Sequence, residues 1–250
     1  MSGVLAELIE HARARAMHLP EVDAHRGARP SFAAALAGRT TIAVIAECKR
    51  KSPSAGVLAE HDDFEARLRA YAAGGAAAVS VLTEDSRFGG SYDDLAVAAR
   101  TLPAMPLLMK DFVVAPAQVA LGARLGASAV LLIARCLPGD ELGRLVAACE
   151  AANLPPFVEC YTAAEVERAL VHPSVVIGVN NRDLDTLAID LGHARALLAR
   201  VPRDRVAVAE SGYDTPAAIR ALRGHADAAL VGSALMRAPD PAAFLHEVRA

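Results

Sequence analysis

Residues 42–56 read IAVIAECKRKSPSAG. The first half is an aliphatic run of the kind that fills a strand buried on both faces, as in a parallel sheet. The second half turns into Glu47, Lys49, Arg50 and Lys51, then Ser-Pro-Ser-Ala-Gly. Charge buried without partners is costly, so a core strand that ends in ionisable groups must deliver that end to a special place. Side chains alternate along a strand. Ile45, Glu47 and Lys49 therefore share one face, and Val44, Ala46 and Cys48 the other.

Working outward, the same kind of apolar run recurs at AVSVLT (78–83), PLLMK (106–110), SAVLLI (128–133), PFVEC (156–160), VVIGVN (175–180), RVAVAE (205–210) and AALVG (228–232). The segments between them place apolar residues three and four apart, which predicts helices. Several open on Asp or Thr, good N-caps. Eight strand-then-helix units predict an α/β fold, a TIM (β/α)8 barrel. An open doubly wound sheet is the alternative, but it usually carries a Gly-rich turn after its first strand. Here that turn is KRKSPSAG. Residues 1–40 are read as an N-terminal helical extension of a single domain spanning 1–250.

Composition narrows the function. More than half of the 250 residues are apolar, and the net charge is −3 with no basic block. That disfavours nucleic acid and anionic membrane as partners. No apolar run is long enough for a membrane helix. The first 20 residues, with Glu7 and Glu10, read as an amphipathic helix and not a targeting signal, so a cytoplasmic location is expected. Cys48, Cys136, Cys149 and Cys160 show no CxxC or zinc spacing and are read as buried, reduced hydrophobes; the eight histidines are scattered and read as surface residues. No metal site is predicted.

In a TIM barrel the active site lies at the C-terminal ends of the strands. There the sequence places Glu47 and Lys49, Thr83 and Glu84, Lys110 and Asp111, Glu159, Asn180 with Asn181, Arg182 and Asp183, then Glu210 with Ser211 and Gly212, and Gly232 with Ser233. One charged strand end is usually only solvated; two lysines, three glutamates and an arginine on one rim point to acid–base chemistry. ESG (210–212) and VGS (231–233) lie in the loops after strands seven and eight, the usual phosphate site of this fold. Glycine there exposes backbone N–H groups to an anion.

At this point the chain resembles a known family, the indole-3-glycerol phosphate synthases of tryptophan biosynthesis. IAECKRKSPSAG, VLTEDSRFGGSYDDL, PLLMKDF, GASAVLLIARCL, VECYTAAEVERAL, IGVNNRDLDTLAIDL, VAESGYDTP and ALVGSALMRAPDP carry the likeness, in the family's order, from about residue 42 onward. The resemblance implies a carbon–carbon lyase. It closes an indole ring on a carboxyphenylamino-deoxyribulose phosphate, with loss of carbon dioxide and water and with no cofactor. Lys110 would be the general acid of ring closure. Lys49 would sit near the substrate carboxylate and act as second acid. Glu159 would be the leading base, with Glu47 paired to the lysines or sharing that role. Asn180 would orient hydroxyls, Arg182 hold the carboxylate end, Glu210 position the lysines and Ser211 bind substrate. Ser52, Gly212, Gly232 and Ser233 would hold the phosphate. The implied partner is a small phosphorylated, anthranilate-derived molecule, and a monomer is expected, with association with other tryptophan-pathway enzymes left open. Cys160 and Tyr161 replace an apolar residue and His of the family pattern, and Tyr213 an aliphatic one.

Other readings keep the barrel. A Schiff-base aldolase would use Lys110 or Lys49 as nucleophile. A phosphoribosylanthranilate isomerase needs an acid and a base but not this whole set. A non-catalytic phosphate-binding barrel has little need of Lys110 and Glu159.

Overall fold

A computed structural model describes residues 3–23, 29–49, 51–52, 56–57 and 63–250; the side chains of 51, 52, 56 and 57 are outside the described part. The eight apolar runs form the strands β1 (Ala43–Cys48), β2 (Ala78–Leu82), β3 (Leu107–Lys110), β4 (Ala129–Ile133), β5 (Pro156–Cys160), β6 (Val176–Asn180), β7 (Ala207–Glu210) and β8 (Ala228–Val231). They pair in parallel, each with its sequence neighbour, and β8 pairs with β1 to close the barrel. A hairpin of Lys51–Ser52 with Gly56–Val57, which no periodicity announces, follows β1.

The helices are α1 (Gly3–Met17), α2 (Phe32–Leu36), α3 (Phe64–Ala73), α4 (Tyr92–Thr101), α5 (Pro116–Arg124), α6 (Glu141–Ala151), α7 (Ala163–Leu170), α8 (Leu191–Leu198), α9 (Pro216–Arg220), α10 (Ser233–Arg237) and α11 (Pro241–Arg249). Asp63, Thr162, Asp190, Thr215 and Asp240 cap α3, α7, α8, α9 and α11 through their side chains, as the sequence suggests. Each such cap is worth about 1 kcal/mol. Two elements depart from expectation. Helix α9 is only one turn long, and the short α10 intervenes before α11.

Two helices of the extension close the two ends of the barrel. Phe32 of α2 meets the inward ring of Phe157 edge to face, with centroids 6.1 Å apart. Phe157 shares its strand face with Glu159, so this aromatic stack seals the barrel below the carboxylate. At the other end α1 lies across the mouth and buries Leu5, Leu8, Ile9 and Ala12. Its Arg15 donates to Asp111 Oδ1 (3.2 Å) and to the Thr83 carbonyl (3.0 Å). All four cysteines are free and buried, as expected. His193 departs from the surface reading. It is half-buried and its ring stacks on Tyr161.

Candidate active site

The strand ends meet around Lys110. Its Nζ lies 3.0 Å from Glu210 Oε2, 3.6 Å from Glu159 Oε2 and 3.8 Å from Glu47 Oε2. Lys49 Nζ donates to the other oxygen of Glu47 at 2.8 Å, as the shared strand face requires. Asn180 Nδ2 donates to Glu159 Oε1 at 3.0 Å, and Asn180 Oδ1 accepts the Arg182 N–H at 2.9 Å. The ends of five strands, β1, β3, β5, β6 and β7, thus bring Glu47, Lys49, Lys110, Glu159, Asn180 and Glu210 together.

Two lysines face three carboxylates, so the cluster is one negative charge out of balance when all are ionised. Burial alone would lower the Lys110 pKa, but Glu210, Glu159 and Glu47 outweigh it and hold the ammonium charged. Burial also works against the Glu47 carboxylate, yet Lys49 and Lys110 keep it below its ordinary range. Glu210 takes up the imbalance. Its burial, against the pull of Lys110 and with the push of Glu159, raises its pKa to about 8. One of its buried oxygens has no hydrogen-bond partner among the described residues.

That oxygen lies over Gly178. A Cβ at Gly178 would fall 2.4 Å from Glu210 Oε1 and 2.5 Å from Phe157 Cε1. Glycine inside a strand often marks such a close approach, a signal present in IGVN but unused in the sequence reading. Gly232 does the same for the first pair, since its Cβ would fall 2.4 Å from Glu47 Oε1 and 2.9 Å from Lys49 Nζ. Lys49 is therefore beside a glycine of the expected phosphate end.

The cluster forms the floor of a cavity of about 270 Å³. One wall is apolar: Phe88, Phe112, Leu131, Ile133, Leu184 and Leu187, with Val4, Leu5 and Leu8 of α1 above. Strand parity could have located Leu131 and Ile133; the contribution of α1 had no signal. The opposite wall holds Ser211, Gly212, Gly232 and Ser233, along with Asp214 and Arg237, which pair at 3.0 Å. Arg237 was missed because it belongs to the unforeseen α10. Ser211 and Gly212 are both left-handed, with φ of +64° and +86°. Asn181 braces Ser211 by donating to its carbonyl (3.0 Å) and to the Tyr213 hydroxyl (3.1 Å), and accepts from the Ala194 N–H (2.9 Å). The Tyr213 hydroxyl is thus part of the brace. Arg182 reaches the cavity edge and donates to the Leu187 carbonyl at 3.1 Å. The Ser52 side chain lies outside the described residues. Glu84 is spent on its own loop, where it accepts from the N–H groups of Ser86, Arg87 and Phe88.

A closed eight-stranded barrel with lysines and carboxylates at its mouth and paired glycine loops after β7 and β8 has the layout of a TIM-barrel enzyme. The family profile of indole-3-glycerol phosphate synthase matches residues 5–248. Indole-3-glycerol phosphate synthase of Opitutus terrae is 45% identical over 238 residues, spanning 93% of this chain and 90% of that protein. Indole-3-glycerol phosphate synthase 2 of Streptomyces coelicolor is 44% identical over 251 residues, 96% of each. The chain belongs to the indole-3-glycerol phosphate synthase family, carboxy-lyases of tryptophan biosynthesis. Among solved structures, the tryptophan synthase alpha chain from Legionella pneumophila superposes with a TM-score of 0.65 at 13% identity, covering 89% of this chain and 97% of that one. That likeness shows the barrel alone. Among the described residues no helix is long and apolar enough to cross a membrane.

Proposed function

We propose that this chain closes the indole ring of 1-(2-carboxyphenylamino)-1-deoxy-D-ribulose 5-phosphate, releasing carbon dioxide and water to leave indole-3-glycerol phosphate. The observation that carries the reading is Lys110, a charged ammonium 3.0 to 3.8 Å from the carboxyl groups of Glu210, Glu159 and Glu47, on the floor of a cavity with one apolar wall and one wall of glycine loops.

The steps follow from the charges. As the aromatic ring attacks the ketone, negative charge develops on the carbonyl oxygen. Lys110 stabilises it and donates a proton. Loss of carbon dioxide removes the carboxylate that Arg182 holds through a planar pair of N–H donors. Lys49 protonates the departing hydroxyl, and Glu159, oriented by Asn180, takes the ring-side proton. Glu47 and Glu210 hold the two lysines in place. Ser211, Gly212, Gly232 and Ser233, with Ser52 from the first loop, bind the phosphate, and Lys49 is near enough to Gly232 to share that load. The apolar wall takes the anthranilate ring. We place the enzyme in the cytoplasm as a monomer.

The charge on Lys110 speaks against the Schiff-base alternative, since a nucleophilic lysine must be neutral. Borohydride in the presence of a keto-sugar phosphate should trap no adduct. The direct test is indole fluorescence on adding the carboxyphenylamino-deoxyribulose phosphate to folded protein; absence of product would sink the proposal.

A further inference from the structure

Arg135 lies on the short 3-10 turn Ala134–Cys136 after β4 and takes no part in the steps above. Its guanidinium faces carboxylates from two other loops: Asp185 at 3.1 Å, Glu165 at 3.6 Å and Asp183 at 3.8 Å. Its Cζ lies over the Tyr161 ring, 4.8 Å from the centroid, and Tyr161 stacks on His193 with centroids 4.2 Å apart. The Arg135 side chain is only 16% exposed, while Asp185 at its tip faces solvent; a guanidinium so far withdrawn from water pairs with carboxylates more strongly than one on an open surface.

The loop from 181 to 190 gives the cluster its consequence. The Asp183 carboxylate accepts the N–H groups of Asp185 (2.7 Å) and Thr186 (2.9 Å), and its backbone carbonyl accepts the Leu187 N–H at 2.8 Å. Leu187 is left-handed, φ +61°, a conformation leucine rarely holds without support. Its carbonyl takes the hydrogen bond from Arg182 Nη1. A continuous set of contacts therefore leads from Arg135 through Asp183 and Leu187 to Arg182.

We propose that Arg135 is a positioning residue: by neutralising and anchoring the acidic loop after β6, it aims the Arg182 guanidinium at the substrate carboxylate. The inference rests on the role proposed above for Arg182. Without Arg135, Asp183, Asp185 and Glu165 repel one another, and the loop no longer holds the Leu187 carbonyl where Arg182 needs it.

The test compares the substrate with the product indole-3-glycerol phosphate, which keeps the phosphate but lacks the carboxylate. KM for substrate and the inhibition constant for product are measured for Arg135→Ala, Arg135→Lys and Arg182→Ala in the full chain. Arg135→Ala should raise KM about tenfold, the upper range for coupling through a contact chain, with product affinity unchanged and kcat little altered. Arg135→Lys should recover most of the loss, because it keeps the charge. Neither constant depends on the fraction of active protein. Should Arg135→Ala not fold, Asp185→Asn at its exposed position should shift the same ratio in the same direction. Equal losses for substrate and product, or no loss, would overturn the proposal. If Arg182→Ala separates the two ligands and Arg135→Ala does not, only Arg135 is misassigned. If Arg182→Ala does not separate them, the reading of Arg182 falls and this inference with it.

Discussion

Glu210 grips Lys110 with one carboxylate oxygen, at 3.0 Å, while its other oxygen lies in the hollow above Gly178. The hydrogen bond and the missing side chain are one arrangement. The glycine makes room for a carboxylate that the barrel interior would otherwise exclude, and the carboxylate holds the lysine at the centre of the mouth.

Gly178→Ala should therefore disturb both stability and turnover. The added methyl meets the Phe157 ring and the Glu210 carboxylate, and overpacking of a tight core costs about 1–3 kcal/mol. Denaturant unfolding and kcat should fall together. Gly143→Ala is the control. It lies in α6, where a Cβ finds only ordinary contact with His172 at 3.6 Å. It should stabilise the fold by about 0.4–1 kcal/mol and leave turnover unchanged.

Lys110→Met keeps most of the unbranched side chain and removes its charge and proton. Turnover should fall by at least about 10²-fold, the usual effect of losing a general acid, with substrate still bound. Single-turnover fluorescence separates the two effects. Near-normal turnover would mean that another group delivers the first proton.

Glu210 should impose a pH dependence on stability. Its pKa rises on folding from the ordinary carboxylate range to about 8. The folded state thus holds the proton more tightly than the unfolded chain does. The resulting stabilisation is fully present below the ordinary carboxylate range and is lost as pH rises through about 8. Glu210→Gln removes this loss. Unfolding free energies at acidic, neutral and mildly alkaline pH should show the variant gaining on the wild type as pH rises. A constant difference would contradict the assignment.

Asn181→Ala should release the loop that carries Ser211. It strands the Ser211 carbonyl and the Ala194 N–H, and each buried unsatisfied group costs about 1–3 kcal/mol. KM should rise as the left-handed Ser211–Gly212 pair loosens. Tyr213→Phe removes only the hydroxyl that Asn181 reaches, so its effect should be smaller, about 1 kcal/mol. Equal effects from the two variants would place the brace elsewhere.

Much of this architecture is visible in the chain. Aliphatic runs spaced by helical segments announce the barrel, because a parallel sheet covered on both faces needs apolar side chains on both. Glu47 and Lys49 could be paired from strand parity alone, and they are paired at 2.8 Å. Glu159 and Glu210 could be placed at the rim by their position at strand ends. Arg135 and α10 were not legible, since a short turn has no periodicity. The covering of the mouth by Leu5 and Leu8 was not legible either, since an amphipathic helix does not say which surface its apolar face will meet.

By itself, then, the sequence determined the barrel, the family and the set of ionisable groups at the mouth, for these depend on local spacing and on motifs that lie whole within one strand end. Only the tertiary structure decided which carboxylate pairs with which lysine, which oxygen lies over Gly178, and which arginine braces the loop behind Arg182. Those facts depend on distances between strands far apart in the chain, and electrostatic coupling in a buried cluster varies with those distances and not with order along the sequence.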